Sequence, residues 1–286
     1  MVEVKYMGRL GNRLFQYCLG RIIAESLGFR LNAGPISGFP GTQEPVPGKD
    51  FSNGPLQEFE GQKIDLQGVL GDHSPRRIVL HGYFQRYEYY QPFKETIRKR
   101  WLVPGFPVPP QRSLREIVLH VRRGDYVQLG WATPFHFYRD VLESATYERV
   151  FIVTDVPEDP FFRRFRRYQP VVFHKDTLED FAMLLSFKRI VISQSSFAWW
   201  AAFLSEAEEV IVPASPTSPW SGNKKQFDGD MRINLEVFDE RRFKTATVRG
   251  AYRPNVAEFV FNVRHYRAQL RQRWNFLVNR IAMRFH

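Results

Sequence analysis

Cysteine is almost absent from this chain of 286 residues: Cys18 stands alone, between Tyr17 and Leu19 in an apolar stretch with helical spacing. A disulfide framework and a cysteine-rich metal site are therefore both excluded, and a reducing, cytoplasmic compartment is the compatible one. No run of about 18 apolar residues occurs, and no charged-then-apolar leader opens the chain, so neither a membrane span nor secretion is expected. No H-E-x-x-H helix, C-x-x-C pair or Walker lysine loop is present, and no metal site is expected. Acidic residues are scarce only locally. The formal charge is +11, but residues 241 to 286 hold eleven Lys and Arg against the single acid Glu258, so that segment carries ten of those charges. The rest is close to neutral, which argues against a nucleic-acid groove across the body and leaves nucleic acid out of the expected partners.

What is present describes a folded enzyme-sized chain. Hydrophobic residues make up 43% and aromatics 15%, with 26 Phe, 12 Tyr and 6 Trp, enough for core packing and for stacking on sugars or bases. Length favours two domains. Val2 to Tyr6 alternates as a strand does, Gly8 and Gly11 break it, and Leu14, Cys18, Ile22 and Leu27 recur at helical spacing up to Gly28. Leu31 to Asp65 is rich in Gly and Pro with little periodicity and is expected to be irregular. The Pro-rich stretch Leu102 to Pro110 suggests a linker, dividing the chain into residues 1–110 and 111–286. Beyond it, apolar runs at Ile117–Val121, Val150–Val153, Val171–Phe173, Ile190–Ile192 and Val210–Val212 alternate with helix-length segments. That pattern predicts an α/β fold with a doubly wound parallel sheet. Asp176, with Glu179 three residues on, predicts a helix start.

In such a sheet a ligand sits beyond the carboxyl ends of the strands. His120-Val121-Arg122-Arg123-Gly124-Asp125-Tyr126 brings two guanidiniums and a carboxylate to one strand end. An arginine fork suits a diphosphate, although both arginines could instead be surface ion-pair partners. Ser193-Gln194-Ser195-Ser196-Phe197 opens an aromatic helix. Its hydroxyls and backbone N–H groups suit phosphate, and Ser195 or Ser196 could equally serve as a plain cap above core Trp199 and Trp200. Gly8-Arg9-Leu10-Gly11-Asn12 is a glycine turn into a helix, with Asn12 as a possible N-cap. Asp155 and Asp180 lie near strand ends and are either ligand groups, helix caps or surface acids.

These segments together resemble the α1,2-fucosyltransferases of glycosyltransferase family 11, and more distantly the α1,6- and protein O-fucosyltransferases. The resemblance runs from about residue 5 to 215. It is carried by Gly8-Arg9-Leu10-Gly11-Asn12-Arg13-Leu14-Phe15-Gln16-Tyr17, Gly82-Tyr83-Phe84-Gln85, the H-x-R-R-x-D block from His120, and the serine-rich block from Ser193 to Leu204. Two positions depart from the family pattern: Arg13 replaces a glutamine and Ala198 a serine. The resemblance implies a GT-B-like fold of two Rossmann-type domains, acceptor side first and donor side second. It implies metal-independent, inverting transfer of L-fucose from GDP-β-L-fucose to the 2-OH of a galactose-containing glycan, as in surface polysaccharide or O-antigen synthesis. GDP-fucose is then a substrate, and no cofactor is expected. The same fold would also serve another GDP-sugar or linkage, or a non-catalytic binder.

Carried over by position, the resemblance makes Arg122 the clamp on the β-phosphate and puts His120 beside the nucleotide. Asp180 becomes the guanine-reading carboxylate, sixteen residues before the phosphate-binding Ser196, and Asn12 faces the reacting centre. Gly11, Asp155 and Ser195 complete the expected nucleotide contacts. Asp125 is a candidate base or, alternatively, the partner that orients Arg122. Acceptor choice is expected to lie in Leu31 to Asp65 and Arg86 to Tyr90. Finally, Phe259, Val263, Tyr266, Leu270, Trp274, Leu277, Ile281 and Phe285 form one apolar stripe flanked by arginines. Residues 256–286 are thus expected either to lie on the inner face of a membrane, near lipid-linked acceptors, or to pack on the body.

Overall fold

A computed structural model of the chain describes residues 1–214 and 233–265. Its first half is a parallel sheet of β1 (Val2–Val4), β2 (Leu31–Asn32), β3 (Leu56–Gly61) and β4 (Arg77–Gly82), in the order β2-β1-β4-β3. Val2 sits opposite Ile78 and Val4 opposite Leu80. β1 feeds α1 (Leu10–Leu27), which stops at Gly28 as its spacing implies. Leu14, Phe15, Cys18, Leu19, Ile22 and Ile23 are all buried. After α2 (Leu66–Gly71) and β4 come α3 (Tyr87–Tyr90), a 3-10 turn, α4 (Lys94–Thr96) and a π-turn at Ile97–Trp101.

The tract from Leu31 to Asp65 is less irregular than its composition implies, because it contains β2 and β3. β3 is an edge strand with Leu56 exposed and no buried residue. It therefore lacks the apolar alternation by which a half-buried strand is recognised, and it is held by six-residue pairing to β4.

The second half is a six-stranded parallel sheet of β5 (Glu116–Val121), β6 (Arg149–Thr154), β7 (Val171–Phe173), β8 (Arg189–Val191), β9 (Glu209–Ala214) and β10 (Phe243–Thr247). Its order is β10-β9-β8-β5-β6-β7. Numbered from β5 and read from the other edge, this is 3-2-1-4-5-6, the doubly wound dinucleotide-binding order. β5 and β6 are buried almost throughout, as strands covered on both faces must be. Between strands lie α5 (Gly124–Gln128), α6 (Phe135–Ser144), a 3-10 segment at Pro160–Tyr168, α7 (Thr177–Leu185) and α8 (Ser196–Leu204). Asp176 caps α7 by accepting from the N–H groups of Leu178 and Glu179. β10 has no apolar run to announce it and is an edge strand on β9.

All strands of the first sheet precede Leu102–Pro110, and all strands of the second follow it. The two halves meet where α1 packs on α8. Phe15 lies 5.1 Å from Trp199, 4.7 Å from Trp200 and 5.3 Å from Tyr90, between ring centroids. Such ring pairs add roughly 0.5–1.5 kcal/mol each beyond area burial, so this aromatic block fixes the two helix starts against each other. Each sheet also reverses its winding once: between β1 and β4 in the first, and between β5 and β8 in the second. At the carboxyl edge of these reversals chains diverge and leave a crevice. Near the carboxyl end the chain is helical over 256–265. Of the apolar stripe, Phe259 is 59% exposed, while Tyr266 and everything beyond it lie outside the described residues.

Candidate functional site

The carboxyl edges of both reversals open into one cleft of about 670 Å³. Gly11, Asn12, His120, Arg122, Asp125, Asp155, Asp180, Ser195 and Ser196 all line it. The folding therefore gathers these nine candidate residues into a single cavity.

On the second-sheet side, the end of β5 sets the electrostatics. Arg122 donates through Nη2 to Asp125 Oδ1 at 2.5 Å, and its Nη1 lies 3.0 Å from Asp155 Oδ2. Burial works against its charge, but Asp155 and Asp125 outweigh burial and push the guanidinium's pKa up. Asp155 also accepts the backbone N–H of Arg123 at 2.8 Å. It thus fixes both the Arg122 fork and the loop that carries it. Gly124 has φ +26°, and a Cβ there would fall 2.5 Å from Asp155 Oδ2, so this loop position needs glycine. His120 is buried, with Nδ1 2.8 Å from Ser193 Oγ. Burial, and then the Arg122 charge, lower its pKa to about 3. It is a neutral ring at physiological pH.

The second guanidinium of the motif does not reach the cleft. Arg123 is wholly buried on the far side, pairing with Asp159 at 2.8 Å, donating to Tyr252 Oη at 2.7 Å and lying over the Phe161 and Tyr252 rings. Tyr252 in turn donates to Glu258, which Arg164 holds through two bonds. The expectation of two guanidiniums at one strand end is therefore corrected: Arg122 lines the cleft and Arg123 does not. Adjacent residues in extended chain face opposite sides, so only alternate positions can share a ligand.

Ser195 stands at the N-cap position of α8 without a side-chain cap bond, whereas Ser196 donates from Oγ to Asn12 Oδ1 at 2.8 Å. Neither serine is a hydroxyl cap. Asn12 is not a cap either: Arg9 occupies that position, and Asn12 lies in the first turn of α1. Its Oδ1 also accepts from Gln85 Nε2 at 2.7 Å, and Gln85 N–H donates to Gln62 Oε1. The backbone at Phe84 is left-handed, with φ 51°, an uncommon state for a bulky residue that brings Gln85 round to Asn12. Two helix starts, those of α1 and α8, thus meet at the cleft with no acidic residue in either first turn. Both present positive dipole ends, which suit an anion.

Asp180 lies deeper, nearly buried on α7. Its Oδ1 accepts from Lys175 N–H at 2.9 Å, and Oδ2 lies 3.1 Å from His174 Nδ1. Burial is the leading cause of its raised pKa. Each carboxylate oxygen has a second lone pair for a ligand donor.

His174, Lys175, Tyr126, Trp131, Arg9 and Gln85 also line the cleft and were not foreseen as site residues. His174 and Lys175 directly follow β7, the same signal that marked the other strand ends. Arg9 is 70% exposed and stands 4.0 Å from Asp125. Of the segments expected to choose an acceptor, Gln62 lines the cleft while Arg86 to Tyr90 do not; Tyr83 and Gln85 line it as well. The expectation that no metal takes part overlooks one triplet, Asp228-Gly229-Asp230, whose carboxylate spacing suits a divalent cation on a diphosphate. It lies outside the described residues. Among the described residues, Glu58, Glu60 and His81 could group around an ion, exposed and away from the cleft.

Residues 167–233 match the family described as Glycosyl transferase family 11. That span holds Asp180, Ser195 and Ser196. The chain is also 32% identical over 135 residues to the O-antigen biosynthesis glycosyltransferase WbnK of Escherichia coli, a match covering 41% of this chain and 43% of that protein. The chain thus spans under half the length of this curated relative. No solved structure matches it.

Proposed function

We propose that the chain is a glycosyltransferase of family 11, whose model residues 167–233 match, and that it transfers L-fucose from GDP-β-L-fucose to the 2-OH of a galactose-containing glycan, with inversion, in the synthesis of an O-antigen or similar surface polysaccharide. The observation that carries this reading is the shared cleft. The reversal of the second sheet supplies a guanidinium and a helix start to a diphosphate, and the reversal of the first sheet brings Asn12 and Gln85 to the opposite wall. In this reading the halves are the donor and acceptor domains of a GT-B-like enzyme.

Arg122 stabilises the charge that grows on the β-phosphate as the bond from the sugar C1 breaks, assisted by Ser195, Ser196 and the N–H groups that start α8. Asp125 and Asp155 hold the Arg122 fork in place. Asp125 is thereby an orienting group first; rupture of the C1–O bond runs ahead of proton transfer, and the acceptor hydroxyl, attacking the face away from the phosphate, gives up its proton late to water in the cleft, so no strong base is needed. Asp180 accepts from guanine N1–H and N2–H₂ with its remaining lone pairs, and neutral His120 packs beside the nucleotide. Asn12, fixed by Gln85 and Ser196, turns its amide N–H₂ group to the reacting centre.

The test is GDP release from GDP-L-fucose, GDP-mannose and UDP-galactose across a galactoside panel, with and without EDTA, followed by linkage analysis of the product. Fucose on the galactose 2-OH, undiminished by EDTA, supports the reading. Transfer from another donor, to another hydroxyl, or only with added Mg²⁺ or Mn²⁺ overturns the corresponding part. No release with any donor favours a non-catalytic binder.

A further inference from the structure

A second cleft, of about 440 Å³, opens on the donor half between the start of α6 and residues 249–253. It is separated from the first by the short stretch from Trp131 to Pro134. Four arginines and His136 line it. Two of the arginines are already matched: Arg139 by Asp140, and Arg164 by Glu258. Arg249 and Arg253 are exposed and have no carboxylate within 4.0 Å among the described residues. Surface arginines are common, but these two hang from backbone that is pinned in place. Val248 is buried and its N–H donates to Ala214 O; Arg249 N–H donates to His136 Nε2 at 3.1 Å; and Arg253 O accepts from Arg164. The His136 ring is thereby held neutral, leaving its Nδ1–H for a ligand.

Immediately beyond Arg253, the helix over 256–265 exposes Val256 (82%), Phe259 (59%) and Val260 (41%). Three exposed large apolar residues within five positions, next to two unmatched guanidiniums, make an amphiphilic face. Guanidinium forks select phosphate oxygens, and exposed Phe and Val suit the acyl boundary just below them. We propose that this cleft docks the chain on an anionic bilayer, with lipid phosphate held between Arg249 and Arg253 while Val256, Phe259 and Val260 enter the interface. The site precedes the basic stripe beyond residue 265 and does not depend on which sugar is transferred.

Flotation of the full chain with phosphatidylcholine–phosphatidylglycerol vesicles at low salt tests this. Each basic residue near such a surface contributes about fivefold in affinity, so the double variant Arg249→Glu/Arg253→Glu should bind at least about 25-fold more weakly. GDP release with a soluble acceptor should be unchanged, which also reports that the fold is intact. Arg249→Gln/Arg253→Gln removes charge at similar length and should lose binding in the same direction if the reversed charges disturb folding. The control Lys49→Glu/Arg100→Glu, on exposed sites of the other half, should bind nearly as the parent. Equal loss in the control, or parent-like binding by both cleft variants, overturns the proposal. So does tight binding of inorganic pyrophosphate in the absence of vesicle binding, which would assign the cleft to a free phosphate.

Discussion

Gly11 offers the sharpest test of how the two halves build one site. A Cβ at this position would fall 2.4 Å from Phe197 N, 2.5 Å from Ser196 C and 2.8 Å from Ser196 Oγ. The first two are backbone atoms and cannot rotate away. Ordinary contact begins near 3.4 Å, so Gly11→Ala must part the starts of α1 and α8 by about 1 Å, against the Phe15–Trp199–Trp200 block beneath. Overpacking of this kind costs about 1–3 kcal/mol. Alanine's better helix propensity returns at most about 1 kcal/mol, and less in a first turn. The clash therefore wins, and a net loss of about 1–2 kcal/mol is expected in urea unfolding. Turnover should suffer more. The same displacement separates Asn12 from Ser196, now bonded at 2.8 Å, and a misplacement of about 1 Å can cost about 10²-fold. The measurements are the urea midpoint and the rate of GDP release. Wild-type turnover with unchanged or increased stability would show that the two helix starts are not held in register by this contact.

Arg122→Ala should lower turnover by about 10²-fold or more, the scale for removing one stabiliser of leaving-group charge; near-normal turnover in a folded variant would remove it from the diphosphate. Asp180→Asn should weaken GDP binding more than UDP binding, measured by calorimetry, because only guanine presents paired donors; equal losses would make Asp180 structural. His120 has its pKa lowered from 6.5 to about 3 in the folded chain. The unfolded chain therefore takes up the proton first on acidification. The stability tied to the neutral ring is complete above about pH 6.5 and is lost as pH falls towards 3. Thermal melts of His120→Gln should show a flatter acid limb across that window than the parent, and identical limbs would assign acid sensitivity elsewhere.

Much of this was legible in the sequence because the chemistry follows a positional rule. In a parallel sheet the residues just after each apolar run face the ligand edge, and that rule alone found Arg122, Asp155, Ser195 and Ser196. It would have found His174 and Lys175 had it been applied after Val171–Phe173. The five apolar runs of the second half all became strands; those of β5 and β6 are buried strands that must be apolar on both faces, whereas β7 is an edge strand with Val171 and Val172 exposed. β3 and β10 are edge strands without an apolar run, which is why they went unseen. Local hydrogen bonds such as the Asp176 cap were legible; long-range partners were not. Whether Asn12 caps its helix or meets Gln85 and Ser196 depends on residues 73 and 184 positions away, and no local pattern reports contacts at that separation.

The paired arginines make the same point about neighbours with opposite fates. Arg122 and Arg123 are identical in type and adjacent in sequence, yet one is the cleft's guanidinium and the other a buried cation. Arg123 is matched by Asp159, two aromatic faces and Tyr252. A buried charge removed from its partner costs about 3–5 kcal/mol, so the loop between β5 and α5 is tied firmly on its far side. Asp155 links the two arginines, taking the Arg123 N–H on one oxygen and the Arg122 fork on the other. In the proposed transfer, Arg122 meets developing charge without reorganising, for which such a fixed mount is suited. The second arginine contributes to the site by holding the first one still, and through Tyr252 and Glu258 that mount extends to the helix that begins at residue 256.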